Sequence, residues 1–383
     1  MSQKQVAVVG AGILGLAHAW AAARRGHKVT VFEKNDRAIG ASVRNFGMVW
    51  PVGQPPGEAL EVALTSRGLW LEFSKKAGHW ALPCGSLHAA HRPDEWRVLE
   101  EFAALAAGFG YDCKLLNREQ TLHMAPGVNP QGLLGGLYSS TEVAVDPRKA
   151  SAALAKWLAE AFAVTFCFST EVAMIESNGR GPVLRLRPAE RILQPFDRIV
   201  VCAGSDYLAL FPESFQASGI RLCKLQMMRT KAQPAGWRIG PHLASGLTLR
   251  HYQNFSVCSG IGALKERIAR ETPELDRYGI HVMASQNEEG EVIVGDSHEY
   301  DREIEPFDKA LIDELMLREL SKVFSLPDWT IAERWHGIYA KPASGFVVET
   351  EPLAGVHVCT AAGGSGMTMS QGIAERFWKK QSL

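Results

Sequence analysis

The stretch from Gln5 to Glu33 constrains this chain more than any other part of it. Gln5-Val6-Ala7-Val8-Val9 is an apolar run that leads straight into Gly10-Ala11-Gly12-Ile13-Leu14-Gly15 and then a run of small residues. His27-Lys28-Val29-Thr30-Val31-Phe32 follows and ends at Glu33. The order strand, GxGxxG turn, helix, strand, acid is that of a nucleotide-binding βαβ unit. Gly10 permits the tight turn, Gly12 lets the backbone approach a pyrophosphate, and Gly15 lets the helix lie close to the strand. The helix N-terminus offers free N–H groups and a positive dipole end to the phosphates. Glu33 can accept hydrogen bonds from ribose hydroxyls and would repel a 2′-phosphate. The ligand expected is therefore a dinucleotide without that phosphate, FAD or NAD. Val6 to Ala23 is apolar and about long enough to cross a membrane. Its three glycines and His18 read better as a buried strand followed by a buried helix, so no membrane association is expected.

A chain of 383 residues has room for two domains with sizeable cores. Acidic and basic residues balance at 41 each, and no basic stripe suggests nucleic acid. The first strand begins by about residue 5, which leaves no room for a signal peptide. The seven cysteines (Cys84, Cys113, Cys167, Cys202, Cys223, Cys258, Cys359) are scattered and form no CxxC pair. Together these features predict a cytoplasmic protein without a disulfide frame or zinc site. His88 and His91 sit three apart without further ligands nearby and read as a surface pair, so no metal is expected.

The chain alternates between two kinds of segment. A helix is predicted near Pro93–Phe109, and a glycine-rich turn region around Gly132–Gly136. Asp146-Pro147-Arg148 supplies an N-cap and a proline at the first helical position, for a helix running to about Ala163. Short strands follow at Val164–Phe168, Glu171–Glu176 and Val183–Arg187, then a buried strand through Phe196–Gly204. From Arg221 to Tyr300, alternation predicts strands at Leu222–Lys231, Leu247–His251, Ile280–Ser285 and Glu291–Asp296. Asp308–Phe324 carries an amphipathic helical stripe. Val356–Thr360 leads into Gly363-Gly364-Ser365-Gly366 and a last helix. The expected fold class is α/β: a Rossmann-like dinucleotide-binding domain with a second α+β substrate domain built on a mainly antiparallel sheet. The binding domain is discontinuous, over residues 1–84, 141–220 and 331–383, and the substrate domain covers 85–140 and 221–330.

Taken in order, these segments resemble the D-amino-acid oxidase superfamily of FAD-dependent amine oxidoreductases, the group that holds glycine oxidase and sarcosine oxidase. The resemblance covers nearly the whole chain. It rests on Gly10–Gly15 with Glu33 and Lys34; on Gly40-Ala41-Ser42-Val43-Arg44-Asn45-Phe46-Gly47-Met48; on Asp197–Ser205, with Cys202, Ala203 and Gly204; and on Gly363-Gly364-Ser365-Gly366-Met367-Thr368. The resemblance implies that the second segment runs along the pyrophosphate and isoalloxazine, that small residues of the third pass close to the cofactor, and that Val172 meets the adenine. A helix N-terminus at the fourth would stabilise the negative charge that reduction places near flavin N1 and the C2 carbonyl. Sarcosine oxidases attach flavin through a cysteine shortly before the C-terminal motif. Tyr339-Ala340-Lys341-Pro342 has none at that place, so FAD is expected to be non-covalent.

The family reaction moves hydride from the carbon bearing the amine to flavin N5, and the imine then hydrolyses. The resemblance therefore implies orientation and a dry pocket rather than a strong protein base. Amino-acid oxidases of the group carry a Trp-x-Gly-Leu-Arg-Pro segment whose arginine holds the carboxylate. Here Trp335-His336-Gly337-Ile338-Tyr339-Ala340-Lys341-Pro342 places Tyr339 at the arginine position. Lys341 and His336 flank it and could meet another anion. Against that, His336 reads equally as packing beside Trp335, and Lys341 as a solvated loop lysine. Arg250 and Tyr252 are expected to share a pocket face of a sheet strand, and Met48 to border the substrate. The stretches at 41–51 and 245–250 are similar to a subgroup associated with phosphonate catabolism. That similarity implies 2-aminoethylphosphonate or an N-alkyl derivative as substrate. The competing readings are glycine, sarcosine or a D-amino acid, and a nucleotide-binding subunit without turnover.

Overall fold

The structure is a computed structural model that describes residues 2–179, 181–187, 191–193, 195–216 and 218–381. The last two residues of the segment 331–383 thus lie outside the described residues. The first strand (Gln5–Val9), first helix (Ile13–Ala23) and second strand (Lys28–Phe32) stand where the sequence places them. They form the centre of a six-stranded sheet ordered Val348–Leu353, Val356–Thr360, Arg198–Val201, Gln5–Val9, Lys28–Phe32, Thr165–Cys167. Every pairing is parallel except that of the first two, and the inner strands Val356–Thr360, Arg198–Val201 and Gln5–Val9 are largely covered on both faces and rich in apolar residues. One face carries the first helix and the last helix (Gly366–Lys380), with Leu16, Trp20, Ile373 and Trp378 buried between them and the sheet. Gly15 makes the tight approach possible: a Cβ there would stand 1.9 Å from the Gly10 carbonyl oxygen.

A nine-stranded sheet makes the second layer system. All its pairings are antiparallel except that of His242–Ser245 with Ser86–Ala90, which agrees with the expected mainly antiparallel substrate sheet. The long strand Arg221–Ala232 is its spine and pairs with Ile331–Lys341 from Arg221↔Lys341 to Thr230↔Ile331. Residues 331–341, grouped with the nucleotide-binding segment from sequence, therefore hydrogen-bond into the other sheet. The chain returns to the first sheet only at Val348. This crossing carries Tyr339 to the junction of the two sheets.

Three local expectations are corrected. Leu247–His251 is not a strand but a 3-10 helix, Gly246–Arg250. The Thr248 hydroxyl donates to the Ser245 carbonyl at 2.6 Å and His251 N–H to the Thr248 carbonyl at 2.9 Å, which closes a turn where Leu247 and Leu249 had mimicked alternation. Gly135 and Gly136 lie not in a turn but in the strand Gly135–Ser139, against the ring of Trp96 and the backbone of His88. His88 is no surface residue: it is buried in Ser86–Ala90 against Phe255 and Trp50. The helix after Asp146 forms as read, Pro147–Phe162, with the Asp146 side chain accepting from Arg148 N–H at 2.9 Å. Among the described residues, no helix is long and apolar enough to cross a membrane.

Candidate functional site

A cavity of about 560 Å³ runs from the glycine-rich turn to the junction of the two sheets. That volume suits a bound small molecule or cofactor. Gly10, Gly12, Ile13, Leu14, Glu33, Lys34, Ala41, Ser42, Arg44 and Asn45 line one arm of it. Val172, Cys202, Ala203 and Gly204 line the next part, and Gly363, Gly364, Gly366 and Met367 the far end. Residues from all four sequence segments and Val172 thus meet in one space, although they lie more than 300 positions apart in the chain.

The walls have the form a dinucleotide needs. Gly10 has φ +101°, and a Cβ there would fall 2.4 Å from the Cys202 carbonyl oxygen. A Cβ on Gly12 would stand 3.2 Å from Ser42 Oγ, inside the space a pyrophosphate would cross. The N-terminus of the first helix opens into this arm, with Ile13 N–H held by Ser42 Oγ at 2.9 Å. Glu33, buried at the end of the second strand, accepts from Ala11 N–H and from Asn35 N–H. Lys34 bonds Asp206, which raises the lysine's pKa and ties the mouth of the cavity together. Gly363, at φ +58°, and Gly364 bring the start of the last helix against Tyr339; a Cβ on Gly364 would lie 3.3 Å from the Tyr339 hydroxyl.

Other sequence-named residues stand behind the wall. Ala11 and Gly15 are covered by the turn and the strand beneath it. Gly47 passes under Val145, and Met48 is buried in the core rather than bordering the cavity. Thr368 Oγ1 accepts from Trp50 N–H at 2.9 Å, and Gln54 Nε2 donates to Ser365 Oγ at 3.4 Å, so both side chains brace the last helix from its rear.

The substrate candidates separate into two groups. Tyr339 lines the cavity and is buried. Burial, then the neighbouring Cys223 thiol and Tyr300 phenol, push its hydroxyl pKa well up, so it is a neutral hydrogen-bonding group. Lys341 Nζ donates to the Tyr300 hydroxyl at 3.0 Å and lies over that ring. Burial lowers the lysine's pKa, with Arg221 adding to the effect. His336 faces Asp308, with Nδ1 at 2.9 Å from the carboxylate, and both His336 and Lys341 are absent from the cavity wall, so Tyr339 alone of the substrate candidates lines it. Arg250 and Tyr252 share no sheet face, because the 3-10 turn sends them apart. Arg250 binds Asp276 at 2.9 Å and the carbonyls of Leu247 and Ile280. Tyr252 packs by Trp50 with its hydroxyl on the Met283 sulfur. Sequence reasoning missed Thr170, Glu171, Leu225, Gly337 and Ala361 as cavity residues. Thr170 and Glu171 flank Val172 and could have been found as its neighbours. Leu225 reaches the wall only through the long strand's register with Gly337.

The model of the family described as DAO, FAD dependent oxidoreductase, matches residues 5–377. The chain is 28% identical over 187 residues to glycine oxidase of Geobacillus kaustophilus (strain HTA426), an alignment that covers 47% of this chain and spans about half, 49%, of that relative. It is 24% identical over 392 residues to one of the subunits of opine oxidase from Rhizobium meliloti, covering 97% of this chain and 91% of the relative. The fold matches the crystal structure of glycine oxidase from Bacillus cereus ATCC 14579 with a TM-score of 0.78 at 16% identity, over 99% of this chain and 95% of that one.

Proposed function

The chain belongs to the DAO family of FAD-dependent oxidoreductases, and on that premise we propose that it oxidises a small amine carrying a phosphonate. The proposed substrate is 2-aminoethylphosphonate or its N-methyl derivative, and the products are phosphonoacetaldehyde and the free amine. The observation that carries this reading is Tyr339, which stands where amino-acid oxidases of the resemblance hold their carboxylate arginine. A neutral phenol there cannot pair with an α-carboxylate as that arginine does. Lys341 and Arg221 lie over the Tyr300 ring, and Arg44 lines the same cavity as Tyr339. A phosphonate has three acceptor oxygens and up to two charges, so an ammonium with two phenols suits it.

Bound FAD would supply the acceptor for the electron pair of the carbon that bears the amine. Gly10–Leu14, Glu33 and Ser42 would hold its nucleotide half, and Cys202–Gly204 with Gly363–Met367 its ring half. The last helix's N-terminus presents backbone N–H groups and a positive dipole end to charge that develops there. Tyr339, buried beside Gly364, excludes water from that end and fixes the substrate. Water enters only afterwards, to hydrolyse the imine. No cysteine occurs in Tyr339–Pro342, which supports non-covalent FAD. The same reading puts the enzyme in the cytoplasm, where its seven cysteines, none in a disulfide, would stay reduced.

A second reading is favoured by the likeness to the opine oxidase subunit along almost the entire chain: oxidation of an N-substituted amino acid. Anaerobic mixing of the purified yellow protein with 2-(methylamino)ethylphosphonate, sarcosine and a D-amino acid separates the two through bleaching of the flavin's visible band. Fast bleaching by the phosphonate alone is the expected result. Bleaching only by the amino acids moves Lys341 and Tyr300 out of the anion site. No bleaching by any amine leaves a nucleotide-binding subunit without turnover.

A further inference from the structure

We propose that His251, His281, His298 and Asp296 form a binding site for a divalent transition metal ion, zinc in the first instance. The imidazole nitrogens of the three histidines include one from each ring that all lie within 4.8 Å of one another. His281 Nε2 stands 3.3 Å from Asp296 Oδ1, and His298 Nε2 stands 3.8 Å from Asp296 Oδ2. Two ligand atoms at Zn–N and Zn–O distances of about 2.0–2.1 Å in a tetrahedron are about 3.3 Å apart. The His281–Asp296 pair already has that spacing, and the other donor atoms, at 3.8 Å and within 4.8 Å, would have to draw in around an ion.

His281, His298 and Asp296 are buried, and His281 and Asp296 Oδ1 lack protein hydrogen-bond partners. His281 and Asp296 are only 2% and 5% exposed. Neither nitrogen of His281 has a hydrogen-bond partner, nor does Asp296 Oδ1, despite their closeness. Leaving such groups unsatisfied costs roughly 1–3 kcal/mol each, and more for a charge. A cation among them removes that cost. The chain also fixes the donors in place. His281 and Asp296 exchange backbone hydrogen bonds, Asp296 N–H to the His281 carbonyl at 2.9 Å and the reverse at 3.3 Å. His298 Nδ1 lies 3.0 Å from the Gly279 carbonyl. That contact puts the ring hydrogen on Nδ1 and leaves the Nε2 lone pair toward Asp296, as metal-binding histidines are commonly held.

The electrostatics favour a cation over an anion. Burial holds all three rings in the neutral form, in which a lone pair is available. Of the nearby cations, Arg250 binds Asp276 and Lys341 binds Tyr300. A cleft of about 470 Å³, lined by His251 and His281 and by the charged Arg250, Lys265, Glu266 and Asp276, gives an ion a way in from solvent. The His298 ring stacks on Tyr300 at 6.0 Å, so an ion here would stiffen the wall behind Lys341.

The test uses the FAD-loaded protein, freed of metal by chelator and desalted, then titrated calorimetrically with zinc chloride and assayed for metal by mass spectrometry. About one zinc per chain is expected. His281→Gln and His298→Gln should each weaken it by at least about 100-fold, with the flavin spectrum unchanged. His88→Gln, a buried histidine outside the cluster, should bind zinc as the wild type does. Should both glutamine variants fail to fold, zinc K-edge absorption of the wild type decides. Nitrogen and oxygen neighbours only are expected there, whereas a sulfur neighbour would place the ion at His18, His357 and Cys359 instead and overturn the proposal. A folded wild type that takes up no zinc, cobalt or nickel overturns it, as does a variant that binds as tightly as the wild type.

Discussion

Glu33 Oε2 accepts a hydrogen bond from Ala11 N–H at 2.9 Å, which ties the acid at the end of the second strand to the glycine-rich turn after the first. The carboxylate expected to meet the ribose therefore also braces the loop that meets the phosphates. A hydrogen bond to a charged group contributes about 1.5–3 kcal/mol. Glu33→Gln should weaken FAD binding by about 10–100-fold. Flavin fluorescence during reconstitution of the apoprotein measures this. An unchanged affinity would remove Glu33 from the ribose site.

Two glycines with positive φ should respond differently to alanine. At Gly10 the added Cβ meets the Cys202 carbonyl oxygen at 2.4 Å, and backbone cannot step aside. Gly10→Ala should cost about 3 kcal/mol or more and yield protein depleted of flavin. At Gly363 the added Cβ meets nothing within 4 Å, and only the φ of +58° opposes it. Gly363→Ala should cost roughly 1–2 kcal/mol and keep its flavin. Melting temperatures together with the ratio of flavin to protein absorbance check both, and equal losses would contradict the argument.

The nucleotide-binding half was legible because its signals are local. Gln5–Glu33 carries strand, turn, helix and acid in consecutive residues, and each has one physical use. The substrate half was not, because its neighbours are set by register. Leu225 faces the cavity only because Arg221–Ala232 pairs with Ile331–Lys341. His251, His281, Asp296 and His298 have no motif spacing; a 3-10 turn and antiparallel strands bring them together. Arg250 and Tyr252 were misplaced for a related reason. Leu247 and Leu249 alternate as they would in a strand, and the Thr248 hydroxyl, not apolar periodicity, decides the turn.

His88 should make the protein sensitive to acid. Both its ring nitrogens are buried without partners, and burial pulls its pKa down to about 3. Between that value and the ordinary 6.5 the unfolded chain binds a proton that the folded one refuses. The stability is full above pH 6.5 and falls by about 1.4 kcal/mol per unit as pH drops toward 3. His88→Phe places a ring among Trp50 and Phe255 without the nitrogens. Denaturant unfolding should find this variant's loss between pH 7.5 and 5.5 smaller than the wild type's by roughly 1 kcal/mol. Parallel curves for the two proteins would show that His88 is reached by water.

Lys341 gives the sharpest test of the anion site. Its Nζ donates to the Tyr300 hydroxyl at 3.0 Å, and the residue is exposed enough for a ligand to reach it. Lys341→Met keeps the apolar stem and removes the charge, so packing is largely preserved. If the ammonium holds the phosphonate, KM should rise by about 10–100-fold, the worth of a hydrogen bond to a charged group. The limiting rate of anaerobic flavin reduction should change by less than about 3-fold, because that bond is made alike in ground and transition states. The pH dependence supplies an independent sign. Burial lowers the Lys341 pKa below 10.5, so the wild-type KM should climb on a limb that begins under that pH, as the charge is lost. The methionine variant should lack this limb. A drop in the limiting rate with KM unchanged would instead make Lys341 a positioning residue for Tyr300 and Tyr339, and the anion would have to be met elsewhere.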